Sequence, residues 1–185
     1  MQLGLVGLGR MGANMVLRLA RAGHEVVVLD RKPATVKEIA DQGAVGSTDI
    51  ADMVSKLKAP RHIWLMIPAA AVDDQIAKLA PLLEKGDTII DGGNSYYVDD
   101  IRRAKELAEK GIHYMDVGTS GGVWGLERGY CLMIGGPDEV AKRLDGIFAA
   151  LAPGQGGTEP APGRDGRGGT CEHGYLHCGP VGAGH

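Results

Sequence analysis

Apolar positions along the chain recur with two periods, and the two alternate from the first residue onward. Gln2–Val6 is a short apolar run, read as a strand. Arg10–Ala22 places Met15, Leu19 and Ala22 on one helical face and stops at Gly23. Glu25–Asp30 is almost continuously apolar, as a parallel strand covered on both faces would be. Pro33–Gln42 is a second helical pattern with Val36, Ile39 and Ala40 inward, and Ser47 or Thr48 is placed to cap a short helix ending at Leu57. The strand Arg61–Ile67 follows, then helical spacing at Val72, Ile76, Leu79 and Leu83 that Pro81 should bend or end.

The alternation continues through Gly86–Asp91 (strand) and Val98–Lys110 (helix). That helix carries a modest apolar stripe of Ile101, Ala104, Leu107 and Ala108, with Glu106 spaced to pair with Lys110. Strands are expected at His113–Val117 and Tyr130–Ile134. Pro137 then opens a helix bearing Val140, Leu144, Ile147, Phe148 and Leu151. Gly154–Gly169 has no period and reads as an exposed, mobile loop; Tyr175–Cys178 reads as a last short strand. Regular strand–helix alternation argues an α/β fold, doubly wound, around a mainly parallel sheet. The expected division is a domain over 1–153 and a glycine-rich connection over 154–185.

The first strand runs straight into Gly7-Leu8-Gly9-Arg10-Met11-Gly12, with glycines in G-x-G-x-x-G spacing. The first allows a tight turn, the second lets backbone approach a pyrophosphate, and the third lets helix pack on strand. The helix behind it directs free N–H groups and partial positive charge at the phosphates. Asp30 ends the next strand, placed to accept from the ribose 2′-hydroxyl of NAD. Arg31 and Lys32 either grip the 2′-phosphate of NADP or are merely solvated. A carboxylate about 4 Å from that phosphate is opposed by roughly 4 kcal/mol at an effective dielectric near 20. NAD is therefore the expected coenzyme, with some use of NADP.

Composition narrows the class. At 185 residues with 44% hydrophobic and 23% charged positions, the chain is the size of one soluble domain. A net charge of −3 argues against nucleic acid or an acidic membrane as partner. No apolar run approaches the roughly 20 residues that cross a bilayer. Three cysteines make no disulfide framework and fit a reducing cytoplasm. Of the 30 glycines, eleven fall within Gly154–His185. Cys171, His173, His177, Cys178 and His185 lie close together but lack common zinc spacing, so no metal is expected. His24, His62 and His113 read as surface or packing residues.

Three further stretches could carry chemistry. Pro68-Ala69-Ala70-Ala71 follows a strand at the cleft end of such a sheet, leaving room for a ring or simply connecting elements. Gly92-Gly93-Asn94 brings an amide to the same end, for sugar hydroxyls or for a local Asx-turn. Ser120-Gly121-Gly122 offers a hydroxyl and unshielded backbone N–H groups, suited to a carboxylate or to a plain turn. No acid or histidine sits at a spacing that would activate Ser120, so it reads as a binder.

GLGRMGANM, AVDDQIAKLAPLL, DTIIDGGNSYYVDD, DVGTSGGVWGLERGYCLMIGG and GPVGAGH together resemble the coenzyme-binding domain of the decarboxylating 6-phosphogluconate dehydrogenase family over nearly the whole chain. The resemblance implies a Rossmann-like fold. It also implies oxidation of 6-phosphogluconate by a nicotinamide coenzyme with loss of CO2, giving ribulose 5-phosphate in the pentose phosphate pathway. It implies that Gly7–Gly12 hold the pyrophosphate, Asp30, Arg31 and Lys32 read the ribose, and Ile67, Pro68 and Ala69 line the coenzyme cleft. Asn94 then contacts coenzyme and substrate, and Ser120, Gly121 and Gly122 bind the sugar acid. Asp30 resembles the NAD-preferring branch.

In that family GAGH opens a helix that supplies a lysine general base, then a His-Asn pair and a glutamate acid. The sequence reaches His185 before any of these, and the helical domain that builds a homo-oligomer is expected elsewhere. The expectation is a chain that binds coenzyme and turns over poorly or not at all. Two rival readings are another β-hydroxyacid dehydrogenase and a non-catalytic NAD-binding module.

Overall fold

The structure is a computed structural model, and it describes residues 1–156, 163 and 168–185. The apolar runs form β1 (Gln2–Val6), β2 (Glu25–Leu29), β3 (Val45–Gly46), β4 (His62–Leu65), β5 (Thr88–Asp91), β6 (His113–Ser120), β7 (Cys131–Gly135) and β8 (Tyr175–Gly179). They pair into one sheet in the order β3-β2-β1-β4-β5-β6-β7-β8. Six strands from β3 to β6 run parallel; β7 is antiparallel to β6, and β8 is parallel to β7. The order of strands reverses at β1, where β2 and β4 flank it on opposite sides. In such a sheet the crevice above that point is where ligands bind.

Helices α1 (Arg10–Arg21), α2 (Pro33–Ala40), α3 (Ile50–Lys56), α4 (Val72–Leu79), α5 (Tyr97–Ala108), α6 (Gly125–Arg128), α7 (Asp138–Arg143) and α8 (Asp145–Leu151) cover the sheet. Alternation along each central strand feeds two cores. Leu3, Leu5, Trp64, Ile90 and Met115 meet Met15, Leu19 and Phe148 on one face. Val27, Ile63, Leu65, Ile89 and Tyr114 meet Met53, Leu79 and Leu107 on the other. Burying both faces explains why β2 and β4 are apolar at every position of their inner span. Arg18 of α1 caps the far end of α8, donating to the carbonyls of Ala150, Leu151 and Ala152.

Several expectations are corrected. The cap of α3 is Asp49, whose carboxylate accepts the Asp52 N–H at 2.8 Å; Ser47 is buried just before it, and Thr48 donates to Asp52 instead. Ala22 is exposed at the C-cap of α1 and is no part of its buried face. The helix expected after Pro137 is two helices that break at Leu144. Glu106 pairs with Arg102, one turn back, rather than Lys110. Ile101 is exposed, and the buried face of α5 is formed by Asp100, Arg103 and Leu107. The expected mobile loop over 154–169 falls largely on 157–162 and 164–167, outside the described residues.

Candidate functional site

Above the carboxyl ends of β1, β4, β5 and β6 opens a cleft of about 580 Å³. It is lined by Gly9, Arg10, Met11 and Gly12 from the first turn and α1, and by Met66 and Ile67 after β4. Gly92–Ser95 after β5, Gly118–Ser120 at the end of β6, Met133, Gly184 and His185 complete the lining. Gly7 (φ +96°) makes the turn from strand to helix, and a Cβ there would collide with the Met66 carbonyl. A Cβ at Gly12 would collide with the Gly7 carbonyl oxygen, so the helix lies hard against the strand. At Gly9 a Cβ would meet no heavy atom within 4 Å: the space beside this backbone is open. Gly9 is also the N-cap of α1, and no side chain caps that helix. Its first-turn N–H groups are therefore available to an anion in the cleft. A pyrophosphate fits this arrangement of open space, dipole and free donors.

Asp30, just past β2, is held from both sides. Its Oδ2 accepts the Leu8 N–H at 2.7 Å and its Oδ1 accepts the Lys32 N–H at 2.9 Å. The carboxylate is thereby locked beside the glycine turn with lone pairs remaining for a ligand. Arg31 and Lys32 are exposed. Pro68 and Ala69 begin a single 3-10 turn after Ile67 and do not line the cleft themselves.

Asn94 is exposed on the cleft wall, and the Asx-turn at this corner belongs to Asp91 rather than to Asn94. Asp91 Oδ1 accepts the Gly93 N–H at 3.0 Å, and the Asn94 amide makes no hydrogen bond among the described residues. Ser120 ends β6 at the cleft; Gly121 (φ +156°) and Gly122 (φ +54°) turn the chain away from the lining.

Beneath this wall lies a buried polar cluster that the sequence pattern did not reveal. Asp91, Asp100 and Asp116 are all fully buried. Asp116 accepts backbone N–H groups of Gly182, Gly184 and His185 at 2.7–2.9 Å, strapping the segment after β8 onto β6. Asp100 accepts from Tyr114 Oη at 2.8 Å and from His185 Nδ1 at 2.8 Å. Arg103 donates to Asp73 at 2.7 Å and reaches Asp91 and Asp100 at 3.4–3.5 Å. Burial drives the Tyr114 hydroxyl pKa upward, and the charges of Asp91 and Asp100 drive it further. Burial alone would lower the His185 pKa, but the Asp100 bond and the surrounding carboxylates outweigh it and raise it. His185 thus sits with the acids, apart from the cysteines, while His177 Nε2 donates to the Gly136 carbonyl at 2.8 Å. The faint signal was acidic residues inside otherwise apolar runs: Asp91 closes β5, Asp116 lies in the middle of β6, and Asp100 and Arg103 share one helical face.

Residues 2–158 match the family model for the NAD binding domain of 6-phosphogluconate dehydrogenase. The chain belongs to that family. A decarboxylating, NAD(+)-dependent 6-phosphogluconate dehydrogenase of Haloferax volcanii is 44% identical over 158 residues, covering 85% of this chain and 52% of its own length. Decarboxylating 6-phosphogluconate dehydrogenase 1 of Saccharomyces cerevisiae is 40% identical over 188 residues, covering 98% of this chain and 36% of the yeast protein. The chain thus spans about half or less of these relatives. Among solved structures, the 6-phosphogluconate dehydrogenase of Plasmodium falciparum, studied with NADP+ and with 6-phosphogluconate, aligns with a TM-score of 0.81. It is 29% identical, covering 100% of this chain and 38% of that one. A 3-hydroxyisobutyrate dehydrogenase of Mycobacterium tuberculosis shares the fold with a TM-score of 0.80 at 23% identity. A nicotinamide-dependent oxidoreductase family on a Rossmann-like fold is therefore established for this chain. Among the described residues no helix is long and apolar enough to cross a membrane.

Proposed function

We propose that this chain is the coenzyme-binding part of an enzyme that oxidises 6-phosphogluconate and releases CO2, forming ribulose 5-phosphate. The observation that carries this is one cleft joining the glycine turn of the matched family domain to Asn94 and Ser120. When bound, the nicotinamide coenzyme supplies the hydride acceptor. The backbone donors from Gly9 to Gly12 bind the pyrophosphate, and Asp30 accepts from the adenosine ribose. Asp30 lies on the β2 side of β1 and Asn94 on the β4–β5 side, so the extended dinucleotide runs from one to the other, past Ile67 and the Pro68–Ala69 corner. Asn94 then faces the nicotinamide ribose and the sugar acid. Ser120, with Gly121 and Gly122 behind it, holds the substrate's polar groups.

NAD is the preferred coenzyme, because the locked Asp30 carboxylate repels a 2′-phosphate; exposed Arg31 and Lys32 leave NADP possible. Among the described residues no lysine lines the cleft, so the general base for C3 oxidation is assigned outside residues 1–185. The segment after β8, which ends in the cleft wall at Gly184 and His185, leads toward that part, and the complete enzyme is a cytoplasmic homo-oligomer. Calorimetric titration with NAD, NADP, 6-phosphogluconate and hydroxyisobutyrate tests the assignment. NAD should bind more tightly than NADP, and 6-phosphogluconate should bind where hydroxyisobutyrate does not. A turnover assay of the same chain with NAD and 6-phosphogluconate should show little or no product; near-native turnover would sink the placement of the base.

A further inference from the structure

Ser95 does something that its place in the chain does not explain. It stands two residues before α5, one position short of the N-cap that serine favours. The N-cap of α5 is Tyr96, with no side-chain cap, and the Ser95 hydroxyl turns back to donate to Asp91 Oδ2 at 2.6 Å. Asp91 Oδ1 meanwhile accepts the Gly93 N–H. One buried carboxylate thus closes the turn Gly92–Ser95 at two points. It is itself held from below by Tyr114 Oη at 3.2 Å and Arg103 Nη1 at 3.5 Å. Above it, the turn presses on β4. A Cβ at Gly92 would overlap the Trp64 indole, and one at Gly93 would lie 2.7 Å from the Ile67 carbonyl oxygen. The only residue of this clamped turn with an exposed side chain in the cleft is Asn94.

We propose that Ser95 is a positioning residue: through its hydrogen bond to Asp91 it fixes the Gly92–Ser95 turn and so holds the Asn94 amide at the nicotinamide end of the coenzyme. The proposal rests on the assignment of Asn94 made above. A hydroxyl is needed because Asp91 Oδ2 is an acceptor fixed in the interior, and a small one because the turn leaves no slack between Asp91 and the start of α5. Asn94 is then presented without the entropy loss of ordering a loop at binding.

Calorimetric titration of the 185-residue chain with NAD and with ADP, which lacks both the nicotinamide and its ribose, separates positioning from general support. Ser95→Ala should weaken NAD about tenfold, the worth of one charge-assisted hydrogen bond, and leave ADP within about twofold. Ser95→Thr, which keeps the hydroxyl, should restore NAD affinity. In an Asn94→Ala background Ser95→Ala should cost nothing more, since the residue it positions is gone. Should the alanine variant not fold, Ser95→Cys, near in size but a weak donor, is read in the same way. Equal losses for both ligands, or losses that add in the double variant, would overturn the proposal. So would a loss of NAD affinity in Asn94→Ala with none in Ser95→Ala. No loss in either variant would overturn the assignment of Asn94 as well.

Discussion

His185 Nδ1 lies 2.8 Å from Asp100 Oδ2, joining residues 85 positions apart and tying the strap after β8 to the buried face of α5. The imidazole is only 5% exposed and the carboxylate fully buried, so the pair meets out of water, where Tyr114 and Arg103 also support Asp100. Asp116 holds the same strap through its backbone, so the cleft's last wall is built almost wholly on two interior carboxylates.

A first prediction concerns pH at this pair. The His185 pKa is raised above its ordinary 6.5: burial opposes the charge, but the bond to Asp100 and the charges of Asp100, Asp91 and Asp116 prevail. Its contribution to stability is therefore complete below pH 6.5 and is lost as pH rises through the raised value. Urea denaturation should show stability falling as pH rises above 6.5. Asp100→Asn should flatten that fall and cost about 1–3 kcal/mol at pH 6. A wild-type profile flat from pH 6 to 9 would contradict this.

His62 acts in the opposite direction. Burial, reinforced by Arg143, lowers its pKa to about 4. The unfolded chain binds this proton before the folded one does, so stability is lost as pH falls from 6.5 toward 4. The slope from this one group approaches about 1.4 kcal/mol per pH unit. His62→Leu should remove it; an unchanged slope in that variant would show that other groups carry the acid sensitivity.

The glycine turn predicts a dissociation between folding and binding. Gly12→Ala places a methyl against the Gly7 carbonyl and should destabilise the domain by about 1–3 kcal/mol. Gly9→Ala meets open space, so its melting temperature should stay close to wild type while NAD affinity falls at least tenfold. Unchanged NAD affinity in Gly9→Ala would mean that the pyrophosphate does not approach there.

Coenzyme choice is expected to turn on Asp30. Asp30→Ser removes the charge facing a 2′-phosphate and should shift the NAD to NADP affinity ratio by at least tenfold toward NADP. Because Asp30 also holds the Leu8 and Lys32 N–H groups, absolute affinity for both should drop. A ratio that does not move would assign discrimination to Arg31 and Lys32 alone.

Much of the fold was legible in the chain itself, because a strand buried on both faces must be apolar throughout and a helix on a sheet must repeat near 3.6. These are local constraints, and they placed β1, β2, β4 and β5 and the glycine turn between β1 and α1. The same patterning missed β3, whose two residues are too few to show a period, and the break at Leu144, which leaves the apolar spacing across it intact.

The sequence by itself determined the α/β alternation, the glycine turn and the family wording around Asn94 and Ser120, since these depend on residues adjacent in the chain. Only the tertiary structure decided what the acids do. Asp91, Asp100 and Asp116 look like ordinary polar positions until folding removes them from water and presents Ser95, Arg103 and His185 as partners. A buried carboxylate must find hydrogen-bond donors, and here several of those donors come from segments 66–85 residues away, a proximity that no local period encodes.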